Sequence, residues 1–279
     1  MLPEVTSHQL TRKIGSEQIC YYDRGRGTPL VLIHGMFGDF LDWDPVLEPL
    51  ASSHRVIALD LPGFGGSSKP REDYSAEFFV STLHKFFGQL QLSEFILAGN
   101  SFGGQIAILY ALHYPDSVSE LLLVNSGGFR EYTTEEKALL EPRFSEAALA
   151  ALTPEINAFL FSGLFAKASE ASIRYLEKQN AKLDWVNYPA YAHALSKSVG
   201  LSLATYLLDR LPELQCPTLL VWGEKDQVLP VAQAELALTQ LQSGQLKIIP
   251  GCGHLPQLEC PTEFLRSIQL FLSSPRSQR

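Results

Sequence analysis

Short, unbroken apolar runs, each closed by a glycine or a turn, recur along this chain and alternate with helical segments. Pro29–Gly35 (PLVLIHG), Arg55–Gly63 (RVIALDLPG), Phe95–Ser101 (FILAGNS) and Ser119–Ser126 (SELLLVNS) have this form. A strand covered on only one face alternates apolar and polar residues; a continuous run belongs to a strand buried on both faces. Between them, Ser75 is placed to cap a helix carrying Phe79, Leu83, Phe86 and Leu90 at spacings of 4, 3 and 4, and a second helix is expected from Phe102 to about His113, before Pro115. Buried strands alternating with helices specify a mostly parallel sheet with helices on both faces. An additional β-rich stretch, 18–25, precedes them.

The pattern breaks from about 127 to 212. No buried-strand run occurs there, and helix signals take over. Thr133 with Glu136 reads as a capping box, and Thr153-Pro154 reads as an N-cap followed by an N1 proline. Leu195, Val199, Leu203, Tyr206 and Leu207 have helical spacing within 191–211. The first pattern then resumes with a strand in 217–226, a helix over 231–241, a strand in 245–254, an amphipathic helix over 261–272 and a polar tail. The expected domains are a core of residues 1–126 and 213–279, with residues 127–212 as a helical insertion.

Composition narrows the function. Of 279 residues, 46% are hydrophobic and only 19% charged, which suits a deep apolar interior. The net charge of -8 is diffuse and offers no basic footprint for nucleic acid. Cys20, Cys216, Cys252 and Cys260 form no C-x-x-C pair, so free thiols in a reducing compartment and no metal site are expected. The N-terminal MLPEVTSHQL lacks the basic and apolar regions of a signal peptide, and no apolar run approaches a membrane span. A cytoplasmic location with no membrane or nucleic-acid partner is the expectation; oligomeric state is not legible.

Chemistry concentrates in Gly99-Asn100-Ser101-Phe102-Gly103, which fits G-x-S-x-G between a buried strand and a helix. So sharp a turn exposes the serine hydroxyl above the sheet. A serine needs a base, and the base an orienting acid. Of seven histidines, His254 alone ends the last strand, in Gly251-Cys252-Gly253-His254; His34, His54, His84, His113 and His193 fall in a loop entry, helices or helix ends. Asp226 ends the preceding strand, with Glu224 as its rival; Asp60 also follows a strand but is disfavoured by its place before the serine. The developing oxyanion needs fixed donors. The backbone N–H groups of Phe102 and of Met36, in His34-Gly35-Met36-Phe37-Gly38, are the candidates. The glycine-rich stretch 60–68 lacks the G-K-[ST] of a phosphate loop and reads as structural.

Together, the HG-x-x-G loop at 34–38, DLPGFGGSS at 60–68, GNSFGG at 99–104, GEKDQVLP at 223–230 and GCGHLPQLE at 251–259 resemble the α/β-hydrolase superfamily. The resemblance covers nearly the whole chain. It implies an eight-stranded, mostly parallel sheet, a helical cap inserted after the sixth strand, and no cofactor. A serine at position 101 departs from the dehalogenases and epoxide hydrolases of the superfamily, which use aspartate. The elbow resembles that of meta-cleavage-product hydrolases, which cut carbon–carbon bonds. Those enzymes typically carry a HG-x-GPG oxyanion loop and tryptophan after the catalytic histidine, where this chain has His34-Gly35-Met36-Phe37-Gly38 and Leu255. The expected function is therefore a serine carboxylesterase acting on small apolar or aromatic esters through Ser101, Asp226 and His254. Phe37, Phe129 and Leu255 are expected to contact substrate, with Phe40, Phe102, Phe159, Phe161, Phe165, Tyr188 and Tyr191 as further aromatics near the motif loops or in the insertion. Carbon–carbon hydrolysis, with an arginine among Arg130, Arg143, Arg174 and Arg210 pairing a substrate carboxylate, is one alternative. Acyl transfer to another acceptor and non-hydrolytic ligand binding are others.

Overall fold

A computed structural model describes residues 8–273. The first seven residues and the polar tail from 274, both read above from sequence, lie outside the described residues. The strands are β1 (Gln9–Ile14), β2 (Glu17–Arg24), β3 (Pro29–Ile33), β4 (Arg55–Leu59), β5 (Phe95–Asn100), β6 (Val118–Val124), β7 (Thr218–Gly223) and β8 (Gly244–Ile249). They form one sheet in the order β1-β2-β4-β3-β5-β6-β7-β8. β2 pairs antiparallel with both β1 and β4, and every other pairing is parallel. The expected α/β class and mostly parallel eight-stranded sheet are both present. β1 had no signal of its own. Five of its six residues are exposed, as an edge strand permits, so it lacks the apolar run that marks the others.

The two sheet faces carry separate cores, set by the period-2 alternation of each strand. Val31, Ile33, Ile57, Leu97, Leu121, Leu220 and Trp222 point to one face. There they meet α2 (Ala76–Gln89), α3 (Phe102–His113) and α9 (Ala232–Gln240) through Leu83, Phe86, Ile106, Tyr110 and Ala234. Leu30, Leu32, Val56, Ile96, Leu122, Leu219 and Val221 point the other way, onto Val46 and Leu47 of α1 (Asp44–Ala51) and Phe264 and Ile268 of α11 (Pro261–Ser273). Ser75 caps α2 by accepting from Phe78 N–H, as its position implied.

Between β6 and β7 the described structure is helical: α4 (Thr134–Leu140), α5 (Glu146–Ala150), α6 (Pro154–Phe161), α7 (Glu170–Lys182) and α8 (Tyr188–Ala204), then a 3-10 stretch over Leu208–Glu213. The capping box at Thr133 and Glu136 is formed, and Thr153 caps α6 ahead of Pro154. The periodic stretch 191–211 is not one helix. α8 stops at Ala204, so Tyr206 and Leu207 lie beyond it. Leu207 N–H is instead drawn to Gly128 O at 2.7 Å, pinning the end of this segment to its beginning. A four-residue α10 (Pro256–Glu259) completes the set.

Candidate active site

Parallel strands bring their C-terminal ends to one edge of the sheet, where ligands bind in open α/β folds. The segments after β3, β5, β6, β7 and β8 accordingly converge. Ser101 follows β5 directly with φ 53° and ψ -117°, a backbone state that L-residues avoid. Two glycines make this turn possible. A Cβ on Gly99 would lie 2.2 Å from Gly103 O, and one on Gly103 would lie 2.3 Å from His34 O. Ser101 N–H is held by Val124 O at 3.0 Å, and Ser101 O accepts from Gly127 N–H at 2.9 Å. Ser101 is half-buried. Phe102 opens α3, whose first-turn N–H groups have no intrahelical partner and point toward the elbow's side of the sheet.

His254 and Asp226 are both buried and joined by a 2.8 Å hydrogen bond from Nδ1 to Oδ2. Four donors converge on the Asp226 carboxylate. Asn125 Nδ2 donates to Oδ2 at 2.6 Å, while Val228 and Leu229 N–H donate to Oδ1 at 2.8 and 3.0 Å. Burial pushes this carboxyl up, but the bonds from His254, Leu229 and Asn125 outweigh it and hold it below the ordinary aspartate value. An ionised Asp226 places the imidazole proton on Nδ1 and leaves Nε2 as a lone-pair acceptor. Glu224, the rival acid, is exposed and accepts from Gly251 N–H at 2.9 Å instead. Among the described residues no hydrogen bond joins Ser101 Oγ to His254.

Asn125 escaped the sequence analysis. Its signal was a polar residue directly after an apolar strand, in LLLVNS. It sits at φ 43°, a left-handed state that asparagine tolerates, and also accepts from Gly223 N–H at 3.3 Å. The His254 loop is tied to the helical insertion: His254 N–H donates to Leu164 O at 2.7 Å, and Glu259 accepts from both Gly253 and Ala166 N–H. Cys252, Glu259 and Cys260 lie close enough to suggest a metal cluster. Glu259 is already committed to those two backbone donors, and burial raises both thiols, so the group is poorly suited to a cation. None of Cys20, Cys216, Cys252 and Cys260 is in a disulfide.

The 34–38 loop is fixed from both sides. Leu61 N–H donates to His34 Nε2 at 3.0 Å, so the His34 proton is on Nδ1, which donates to Gly35 O at 2.7 Å. Gly38 N–H closes the turn onto Gly35 O at 3.1 Å. From α7, Lys182 Nζ donates to Phe37 O at 2.5 Å, and from α8 Tyr191 Oη donates to the same oxygen at 3.1 Å. Phe37 itself is at φ 64°. Lys182 also pairs with Asp39 at 3.3 Å, while Lys178 pairs with Asp39 at 3.1 Å and with Asp42. Burial lowers the Lys182 ammonium despite Asp39. Asp39 is pushed up by burial, yet Lys178 and Lys182 drive it well below its ordinary value. These two lysines were not anticipated, although Tyr175, Gln179 and Lys182 form a buried stripe at helical spacing.

Asp60 does structural work in the 60–68 loop, accepting from Phe40 N–H at 2.7 Å and Gly66 N–H at 2.6 Å. Burial and the nearby Asp39 raise it to about 7.

His34 gives a test of this region. Burial lowers its pKa to about 4, below the unfolded value of about 6.5. Between these values the unfolded chain binds the extra proton, so the contribution of His34 to stability is full above pH 6.5 and lost as pH falls toward 4. The loss is about 3 kcal/mol. Asp60 titrates in the opposite sense over the same range. The quantity to read is therefore the difference between wild type and His34→Gln in urea unfolding. That difference is expected to shrink as pH drops from 6.5 to 4.

The remaining candidates separate. Phe37, Phe161, Tyr188 and Tyr191 line a cavity between the 34–38 loop and the insertion. Leu255 is buried in a cluster with Phe161, Phe165 and Tyr175, against which Phe37 packs. Phe129 lies in the core, its ring stacked 6.2 Å from Trp222, and does not line the cavity. Phe40 packs in the core on the α1 side, Phe102 in the core on the α2 side, and Phe159 is exposed. All four arginines of the insertion are exposed, and three make ion pairs: Arg130 with Glu136, Arg174 with Glu170, Arg210 with Glu213. Met36 is half-buried at the loop's turn. Among the described residues no helix is long and apolar enough to cross a membrane.

Comparisons with known proteins agree with this architecture. The chain is 29% identical over 273 residues to the monoacylglycerol lipase ABHD6 of Homo sapiens, covering 92% of this chain and 80% of that protein. It is 28% identical over 260 residues to a 2-hydroxymuconate semialdehyde hydrolase of a Pseudomonas strain, covering 90% and 89%. The structure of an esterase from Thermogutta terrifontis superposes with a TM-score of 0.81 at 26% identity, covering 95% of this chain and 97% of that one. The family model for the alpha/beta hydrolase fold matches residues 28–261, and the chain belongs to that family.

Proposed function

We propose that this protein is a serine hydrolase of small carboxylic esters bearing apolar or aromatic groups, with residues 127–212 as a cap over the site. The observation that carries this reading is the strained Ser101 elbow sharing a sheet edge with the Asp226–His254 pair. Ser101 Oγ attacks the ester carbonyl while His254 Nε2 takes its proton. Asp226 holds the imidazole in the Nδ1–H form and stabilises the imidazolium. Met36 and Phe102 N–H groups receive the oxyanion. His254 then protonates the leaving alkoxide, an acyl-enzyme remains, and water activated by the same histidine releases the acid. Catalytic hydrogen bonds commonly tighten only when substrate is bound. The Ser101–His254 contact is expected to form at that stage.

The esterase and lipase relatives support ester chemistry; the semialdehyde hydrolase supports a second reading, hydrolysis of a carbon–carbon bond. That reaction must hold an anionic dienolate and calls for an inward cation to pair the substrate carboxylate. The exposed arginines do not supply one, and Lys178 and Lys182 are matched by Asp39 and Asp42. The test is kcat/KM for p-nitrophenyl butyrate against a 2-hydroxy-6-oxo-dienoate. The ester is expected to turn over faster, and Arg174→Ala is expected to alter neither. A dienoate preference above about 100-fold, roughly 2.7 kcal/mol of differential transition-state binding, would overturn the choice.

A further inference from the structure

Three helices of the insertion and the 34–38 loop line a small, half-open cavity of about 10 Å³. Pockets that take a whole small molecule run to ~300–1,000 Å³, so this one has room for a single water-sized group such as a hydroxyl. Phe37, Phe161, Tyr188 and Tyr191 give it aromatic walls, but Asn157, Gln179 and Lys182 also line it. All three polar residues are almost wholly buried, at 2%, 3% and 2% exposure.

Their hydrogen bonding is incomplete. Asn157 Nδ2 donates to Asn180 Oδ1 at 3.1 Å, which leaves Asn157 Oδ1 with no partner. Gln179 faces the Tyr175 hydroxyl and favours its ionised form, but no acceptor lies within full hydrogen-bond geometry of its Nε2. A buried donor or acceptor without a partner has lost its hydration and gained nothing in return, so two at one small cavity call for a ligand group that satisfies both. Lys182 Nζ has spent two of its donors, on Phe37 O and Asp39. Its charge is matched as well, since Lys178 and Lys182 face Asp39 and Asp42. An anion would therefore be unmatched here, and it would meet the bare Asn157 oxygen. A hydroxyl is different: one oxygen accepts from Gln179 and donates to Asn157.

We propose that Asn157 and Gln179 form a hydroxyl-binding subsite in the insertion, selecting esters that carry a free hydroxyl on the alcohol or the acyl side. Phe37, which lines this cavity, adjoins Met36, so a hydroxyl held there belongs to a substrate lying along the 34–38 loop. This inference rests on the ester-hydrolase reading for its catalytic consequence, though not for binding.

The experiment has two parts. The first measures kcat/KM for matched pairs: glycerol 1-monobutyrate against propyl butyrate for the alcohol side, and ethyl 6-hydroxyhexanoate against ethyl hexanoate for the acyl side. The hydroxylated member of at least one pair is expected to be favoured 10-fold or more, and Asn157→Leu and Gln179→Met are each expected to bring that ratio toward 1. The second part needs no turnover: the thermal midpoint of the wild-type protein is followed with 3-hexyloxypropane-1,2-diol and with hexyl methyl ether. Stabilisation by the diol alone is expected. Hydrolysis of all four esters with no preference in either pair, or equal effects of the two ethers, would overturn the subsite and leave a cavity that holds water. Absence of any ester turnover together with stabilisation by the diol would instead overturn the hydrolase reading and keep the subsite.

Discussion

Ser101→Ala is expected to lower kcat for p-nitrophenyl butyrate by about 10⁴-fold or more, because the nucleophile is lost while the oxyanion donors remain. The fold should be indifferent, since Ser101 contributes a half-buried hydroxyl and its structural bonds are made by the backbone. The backbone state adds a second arm. At φ 53° and ψ -117° a residue with a Cβ is strained, and that strain is worth about 1–3 kcal/mol. Ser101→Gly should be as inactive as Ser101→Ala but more stable by ~1 kcal/mol, after the greater freedom of glycine in the unfolded chain is deducted. Urea unfolding reads the difference. Near wild-type turnover in either purified variant would remove Ser101 from the mechanism.

Asp226→Asn is expected to cost about 10³–10⁴ in kcat with little change in shape. The reason lies in the four donors that meet at this side chain. An amide has one acceptor oxygen. If it serves Val228 and Leu229 N–H, its NH₂ faces Asn125 Nδ2 and His254 Nδ1. The imidazole can then accept only by moving its proton to Nε2, where it can no longer take the proton of Ser101. Glu224→Gln should cost less than about 3-fold, because Glu224 is exposed and bonded only to the Gly251 turn and the neighbouring Lys225. If the two variants exchanged effects, Glu224 would be the orienting acid.

The parts legible in sequence were those set by local pattern. Unbroken apolar runs located the strands buried on both faces, and G-x-S-x-G located the elbow, because its glycines are required by backbone contacts at 2.2 and 2.3 Å. His254 and Asp226 were legible as polar residues at the ends of consecutive strand patterns, although the strands stop earlier, at Ile249 and Gly223, and both residues stand in the loops that follow. What escaped depends on contacts between distant segments. Asn125 follows its strand as Asp226 does, but only the packing of β6 beside β7 shows that it holds the Asp226 carboxylate. Attention to charge in the insertion fell on arginines, which turned out to be exposed. The inward cations are Lys178 and Lys182, whose partners Asp39 and Asp42 lie over 130 residues away. The aromatics divided on the same ground: spacing gave Phe161 and Phe159 equal standing, yet one lines the cavity and the other faces solvent.

The most direct test of a Ser101-centred acyl transfer is covalent capture by a fluorophosphonate, read by intact mass and peptide mapping. The account predicts one adduct per chain, on Ser101, formed more slowly in Asp226→Asn and absent from Ser101→Ala. A protein that hydrolyses p-nitrophenyl butyrate while its adduct maps to another residue, or that labels equally well as Ser101→Ala, would contradict it.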